Sequence, residues 1–231
     1  MIEYLTNTTD YHELGNFFEI NFIKITTLPD SFFLAVILFL AGSFFKLGIF
    51  PFNLYEVDTY KKASYIVIYF SSVVAKTSFF FVWLKLIWRI LPTISIIFSV
   101  LFVFGLLTAI IGTLAACFQT NLRQFLTYSS MGHTGLILTS IATHTDLGVE
   151  VALLYFLAYI SAMSIIYITL NNFEGAGLDM HGVHQLRELR GNFAVACCFT
   201  IGILTLAGFP LTIGFYAKVG LLINLATIGE T

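Results

Sequence analysis

The sequence predicts an all-α polytopic membrane protein, and three observations carry that prediction. Of 231 residues, 58% are hydrophobic and 10% charged, against roughly 25% charged in soluble domains, and the mean hydropathy is +0.90. The apolar residues gather in six windows, at about 32–56, 64–88, 93–118, 124–143, 149–172 and 193–228. Each window is long enough for the ~20 residues that a helix needs to cross the hydrocarbon core. Long polar stretches occur only at 1–30 and 173–192. The expected organisation is therefore a polar N-terminal segment, 1–30, followed by a transmembrane helical domain, 31–231, with about six spans, two of them discontinuous.

Taken in order, Thr6 to Asp10 reads as a loop and His12 to Lys24 as a short surface helix. Glu3, Asp10, Glu13 and Glu19 give the N-terminus none of the basic character of a signal peptide, so no cleavage is expected. The first apolar window contains Phe44-Phe45-Lys46-Leu47-Gly48-Ile49-Phe50-Pro51-Phe52. A lysine near mid-bilayer costs roughly 2.5 to 3.5 kcal/mol on insertion scales, and a proline removes a backbone donor where water cannot replace it. Two readings stand for this stretch: a functional interruption, or a helix end at which Lys46 snorkels to the interface.

The second window carries Lys76, twelve residues from Ser64 and twelve from Trp88, which places it near mid-membrane. Ser71, Ser72, Thr77 and Ser78 are expected to partner it or to order water around it. At the entry of the fourth window Arg123 is followed by Tyr128, Ser129, Ser130 and His133, a polar strip through an apolar span. The last window holds Ala207-Gly208-Phe209-Pro210, so it is either two helices, for seven crossings, or one discontinuous helix, with Lys218 eight residues beyond the proline.

Basic residues in short loops report sidedness. Lys61, Lys62, Arg123, Arg187 and Arg190 put 57–63, 119–123 and 173–192 on the positive side and the N-terminus on the other. Trp83 and Trp88 are expected at an interface, beside Lys85 and Arg89. A net charge of −2, with Lys61-Lys62 the only basic pair, gives no support to nucleic-acid binding. Cys117, Cys197 and Cys198 show no CxxC or Cys/His spacing and read as small core residues; His181 and His184 read as solvated, so no metal site is expected. There is no Fe–S cysteine run, no flavin or nicotinamide fingerprint and no haem spacing.

The charges left inside spans are the candidate site. Lys46, Lys76 and Lys218, with Arg123 and His133, point to a proton relay, since a desolvated lysine paired with polar neighbours or a carboxylate exchanges protons. Broken helices bearing lysine near each end of a chain are also the pattern of transporters built from repeated halves. Here the correspondence is between Phe45-Lys46-(x)4-Pro51 and Pro210-(x)7-Lys218.

These motifs resemble a known family, the antiporter-like membrane subunits of respiratory complex I, NADH:ubiquinone oxidoreductase. The matching residues are Phe45-Lys46-Leu47 with Pro51-Phe52, Asp58-Thr59-Tyr60, Ala75-Lys76, Gln119-Thr120-Asn121-Leu122-Arg123, Tyr128-Ser129-Ser130-Met131-Gly132-His133-Thr134-Gly135, and Leu206-Ala207-Gly208-Phe209-Pro210 through Gly214-Phe215 to Lys218. Among the paralogues, Asn121 and Asp58-x-Tyr60 look most like subunit 2, the counterpart of bacterial subunit N. The resemblance implies part of a fourteen-helix fold made of two inverted five-helix repeats, with these windows at helices seven to twelve. It matches Lys46, Lys76 and Lys218 to the lysines of a hydrated proton axis and puts the positive loops in the matrix. Asn53-Leu54-Tyr55 and Lys61-Lys62-Ala63 depart from its pattern.

The resemblance further implies a glutamate partner for Lys46, on helices absent from this sequence. A separate chain is expected to supply them, unless the chain is a degenerate subunit kept for assembly. It implies NADH, FMN, Fe–S clusters and ubiquinone elsewhere in the complex, with no cofactor in this chain. Other membrane-arm subunits and membrane lipids are its implied partners, in the mitochondrial inner membrane or alternatively a bacterial plasma membrane. A multi-subunit cation/proton antiporter is the alternative function, and a non-pumping structural fragment a third.

Overall fold

Backbone polar groups in hydrocarbon must be satisfied internally, so the apolar windows fold as helices. The computed structural model describes residues 30–90, 95–175, 182 and 193–229. The expected loop at Thr6 to Asp10, the surface helix at His12 to Lys24, and His181 and His184 lie outside the described residues.

Within the first window, α1 (Asp30–Leu47) stops at the break, and a short α2 (Leu54–Tyr60) follows it. The second window is one continuous rod of three parts: α3 (Tyr65–Tyr69), a π-helical turn (Phe70–Ala75) and α4 (Lys76–Ile90). Next come α5 (Ser95–Cys117), α6 (Leu122–Ala142) and α7 (Asp146–Gly175). The last window divides into α8 (Phe193–Ala207) and α9 (Ile213–Gly229), both packed on α7, which makes it a discontinuous helix.

Among the described residues three helices are long and apolar enough to cross a membrane, Tyr65–Lys85, Ile97–Cys117 and Asp146–Glu174. The shorter count than the expected six has two causes. The first and last windows are broken into shorter apolar helices, and α6 carries an arginine, a histidine and several hydroxyls along its length.

That polar helix is central, packed by α2, α5, α7 and α9. Several of its hydroxyls are satisfied within the helix: Thr127 donates to the Arg123 carbonyl at 2.8 Å, Ser130 to that of Thr127 at 2.8 Å and Thr134 to that of Ser130 at 2.9 Å. The contact with α5 is backbone against backbone. A Cβ on Gly135 would lie 2.4 Å from the Ala109 nitrogen, and one on Gly112 would lie 2.6 Å from that of Gly132. Small residues at such crossings are how membrane helices gain van der Waals contact in a solvent that gives no hydrophobic drive.

Some expectations are corrected. Trp83 is fully buried in the apolar core instead of marking an interface. Cys117 and Cys198 are exposed and Cys197 half-buried, on outward faces of apolar helices and not in the core. Phe173 to Gly175 belong to α7, so the long connection starts later than expected.

Candidate functional site

The two breaks share one local design. Each helix ends on a left-handed glycine, Gly48 (φ +71°) and Gly208 (φ +75°), a conformation in which side chains are strained. In each, the next residue closes the helix with a 6→1 hydrogen bond: Ile49 N–H to the Phe44 carbonyl at 2.9 Å, and Phe209 N–H to the Leu204 carbonyl at 3.0 Å. These are Schellman closures. A proline turn follows each, with Phe52 N–H bonded to the Ile49 carbonyl at 2.8 Å and Thr212 N–H to the Phe209 carbonyl at 3.0 Å. Thr108 of α5 accepts the Phe50 N–H at 3.2 Å, so the freed backbone of the first break is held by a neighbouring helix.

Against each glycine lies a charged side chain. A Cβ on Gly48 would sit 2.5 Å from Glu56 Oε2, and one on Gly208 would sit 2.8 Å from Lys218 Cδ. Glu56 occupies the first turn of α2, where the helix dipole favours an anion. It accepts from Lys76 Nζ at 2.8 Å, and both side chains are buried, 4% exposed for Lys76 and 6% for Glu56. The π turn before Lys76 contributes to this meeting. An inserted residue advances the phase of everything beyond it by about 100°, re-aiming the lysine within an otherwise regular helix.

Glu56 is the principal residue that sequence reasoning missed. The available signal was that it is the only acidic residue between Ser31 and Val57. The serines and threonines expected to partner Lys76 do otherwise. Ser71 donates to the Val67 carbonyl at 2.9 Å and Ser78 to that of Val74 at 3.1 Å, Thr77 donates to Val73, and buried Ser72 makes no hydrogen bond among the described residues.

Behind the ion pair the core is lined with tyrosines. The hydroxyls of Tyr159 and Tyr167 are buried; Ser130 lies near the first and Ser72 near the second, but neither contact has hydrogen-bond geometry. His133 Nδ1 is 3.0 Å from the Tyr155 hydroxyl. A small cavity of about 10 Å³ is lined by His133, Tyr155, Tyr159, Thr205 and Lys218. A second of similar size is lined by Lys76, Trp83, Thr134, Phe156 and Tyr159. Lys218 reaches back across the second break and donates to the carbonyls of Leu206 at 2.8 Å and Ala207 at 2.9 Å, a cation at a helix C-terminus.

The structure thus brings Lys76, His133 and Lys218 around one tyrosine-lined core. It does not bring in the other two predicted residues. Lys46 is exposed, in the last turn of α1. Arg123 is buried at the N-terminus of α6, where it pairs with Glu174 Oε1 at 2.9 Å and lies over the Tyr65 ring at 4.6 Å. Glu174 Oε2 also accepts the Tyr65 N–H at 2.9 Å, and Asn121 pairs with Gly182. Tyr65, Arg123 and Glu174 thus meet at one end of the bundle, where Asn121 and Gly182 also pair. Tyr159, Tyr155 and Glu174 carried no motif and were not singled out from sequence. Among the described residues no three His, Cys, Asp or Glu side chains converge as metal ligands.

A family model described as NADH:quinone oxidoreductase/Mrp antiporter, transmembrane, matches residues 1–230. Subunit N of the NADH-quinone oxidoreductase of Laribacter hongkongensis is 28% identical over 200 residues, covering 86% of this chain and 41% of that protein. The same subunit of Desulfovibrio desulfuricans is 32% identical over 227 residues, covering 93% and 45%. Among solved structures, the Mrp complex from Dietzia sp. DQ12-45-1b superimposes with a TM-score of 0.80 at 21% identity, covering 99% of this chain and 41% of the other. The membrane-bound sulfane sulfur reductase, an archaeal respiratory membrane complex, gives 0.71 at 20% identity, covering 80% and 38%. The structural likenesses bear on the fold, and the chain spans less than half the length of these relatives.

Proposed function

The chain belongs to the NADH:quinone oxidoreductase/Mrp antiporter transmembrane family, and on that premise we propose that it serves as a proton-translocating membrane-arm segment of respiratory complex I, of the subunit N type. The observation that carries this reading is the buried Glu56–Lys76 ion pair. Replacing such a pair by apolar residues is often neutral or stabilising, so its presence inside a membrane segment is better explained by use than by stability. A lysine and a carboxylate 2.8 Å apart exchange charge when a proton enters or leaves. Lys218, whose ammonium rests on two carbonyls, and His133 lie across the adjoining cavity.

In this proposal NADH, FMN, Fe–S clusters and ubiquinone act elsewhere in the complex, and this chain contributes a proton path alone. Lys46 joins the relay only when a further part of the fold covers α1 and brings it a carboxylate. Arg123 acts by holding the helix ends together. The 25 phenylalanines suit translation from an AT-rich organellar genome, which favours the mitochondrial inner membrane over a bacterial plasma membrane.

The test is Lys76→Met in the assembled complex, with Lys76→Met/Glu56→Gln as the variant that leaves no charge buried alone. Both are expected to lower the protons moved per electron pair while NADH oxidation continues. Unchanged pumping in an assembled double variant overturns the reading. The family description also covers Mrp antiporters; sodium-dependent exchange by the membrane complex with no NADH present would transfer the assignment there.

A further inference from the structure

We infer that the Tyr159 hydroxyl is the relay group joining Lys76 to His133 and Lys218. The inference deepens the proton-relay reading and rests on it. Tyr159 is the side chain that lines both small cavities, one with Lys76 and Thr134, the other with His133, Tyr155, Thr205 and Lys218. Each cavity has room for about one water. The tyrosine is 3% exposed, and its hydroxyl is buried without a hydrogen bond among the described residues.

An unpaired buried hydroxyl costs about 1–3 kcal/mol. Phenylalanine in the same place would avoid that cost and keep the ring contacts with His133 at 6.2 Å and Phe156 at 6.3 Å between centroids. Nearby hydroxyls show the usual alternative. Ser130 and Thr134 donate to carbonyls of their own helix, and Tyr155 is engaged with His133. Tyr159 is left able to turn its O–H toward either cavity.

The step balances without a co-reactant. A proton released by Lys76 through a water in the cavity beside it adds to the phenolic oxygen, while the phenolic proton passes to a water in the second cavity and on to His133, or to Lys218 once its ammonium has released a proton of its own. One O–H bond forms at Tyr159 as one breaks, and the hydroxyl is regenerated pointing the other way. Lys76 is left as the neutral amine beside Glu56, and the acceptor has gained the positive charge.

The experiment is Tyr159→Phe in the assembled respiratory membrane complex reconstituted in vesicles, beside Lys76→Met/Glu56→Gln. Positioned proton-transfer groups are worth roughly 10²-fold or more in rate, so the proton flux through this segment is expected to fall by about that factor. Thermal stability of the complex is expected to hold or rise, because an unpaired hydroxyl has been removed; a role in packing predicts the reverse. If pumping is intact in Tyr159→Phe but lost in the Lys76 double variant, the bridge is overturned and the relay reading stands. If neither variant changes pumping, the relay reading itself falls. Should Tyr159→Phe fail to assemble, fluorotyrosine at 159 keeps the shape and changes the acidity of the hydroxyl. A changed flux then supports the bridge and an unchanged flux overturns it.

Discussion

Gly48 and Gly208 have nearly the same backbone conformation and the same hydrogen-bonded closure, so they form a matched pair for measuring what each break holds. An alanine at either pays the left-handed penalty of about 1–2 kcal/mol. At Gly208 the new methyl meets Lys218 Cδ at 2.8 Å, in a half-buried, flexible chain that can give way. At Gly48 it meets the Glu56 carboxylate at 2.5 Å, in a side chain fixed by Lys76 and closed off from solvent. Gly48→Ala is therefore expected to lower the thermal midpoint of the assembled complex well beyond Gly208→Ala. Equal losses would mean that Glu56 moves freely and that the break does not set its position. At this scale the sequence was only partly legible. Lysines stood out because an apolar span makes any cation conspicuous, whereas Glu56 fell at the edge of its window and looked like the start of a loop. Its role depends on the chain folding back at Pro51, which side-chain composition does not encode.

Among the elements, α5 and α6 pack backbone against backbone, and this contact sets the position of His133 on α6. Gly135→Ala would put a methyl 2.4 Å from the Ala109 nitrogen and 2.7 Å from the Gly105 carbonyl oxygen, both backbone atoms that no rotamer change can move. The helices have to part, and overpacking of this kind costs about 1–3 kcal/mol. A drop in thermal stability is expected, together with reduced pumping as His133 shifts relative to Tyr155. Wild-type stability in Gly135→Ala would show that the two helices do not cross so closely. The helices themselves were legible, since every apolar window is helical, the first and last as two helices each, and Gly208-Phe209-Pro210 announced the second break. The π turn was not, because a shift from i→i+4 to i→i+5 bonding leaves no compositional mark; Ser71, Ser72 and Thr77 looked like partners for Lys76 when most of them bond their own helix. The buried tyrosines were equally hidden, since one aromatic in an apolar helix looks like any other.

Over the whole molecule, the outward face of α1 is the feature that reaches beyond this chain. Leu34, Ile37, Leu38 and Phe45 are exposed along it, and Lys46 is exposed at its end. Apolar exposure alone says little in a membrane, where lipid covers it as well as protein does. The lysine is different. Either it snorkels to the interface, aided by the C-terminal end of the α1 dipole, or a carboxylate from a further part of the fold covers it. Relatives more than twice as long as this chain leave ample sequence for the second arrangement. The two arrangements differ in reactivity and in function. A covered Lys46 predicts that Lys46→Cys in the assembled complex reacts far more slowly with a membrane-impermeant maleimide than Lys61→Cys, which lies in an exposed turn. It also predicts that Lys46→Met lowers pumping as Lys76→Met does. Labelling of Lys46→Cys as fast as Lys61→Cys, with full pumping in Lys46→Met, would take Lys46 out of the relay and leave the path to Glu56, Lys76, Tyr159, His133 and Lys218.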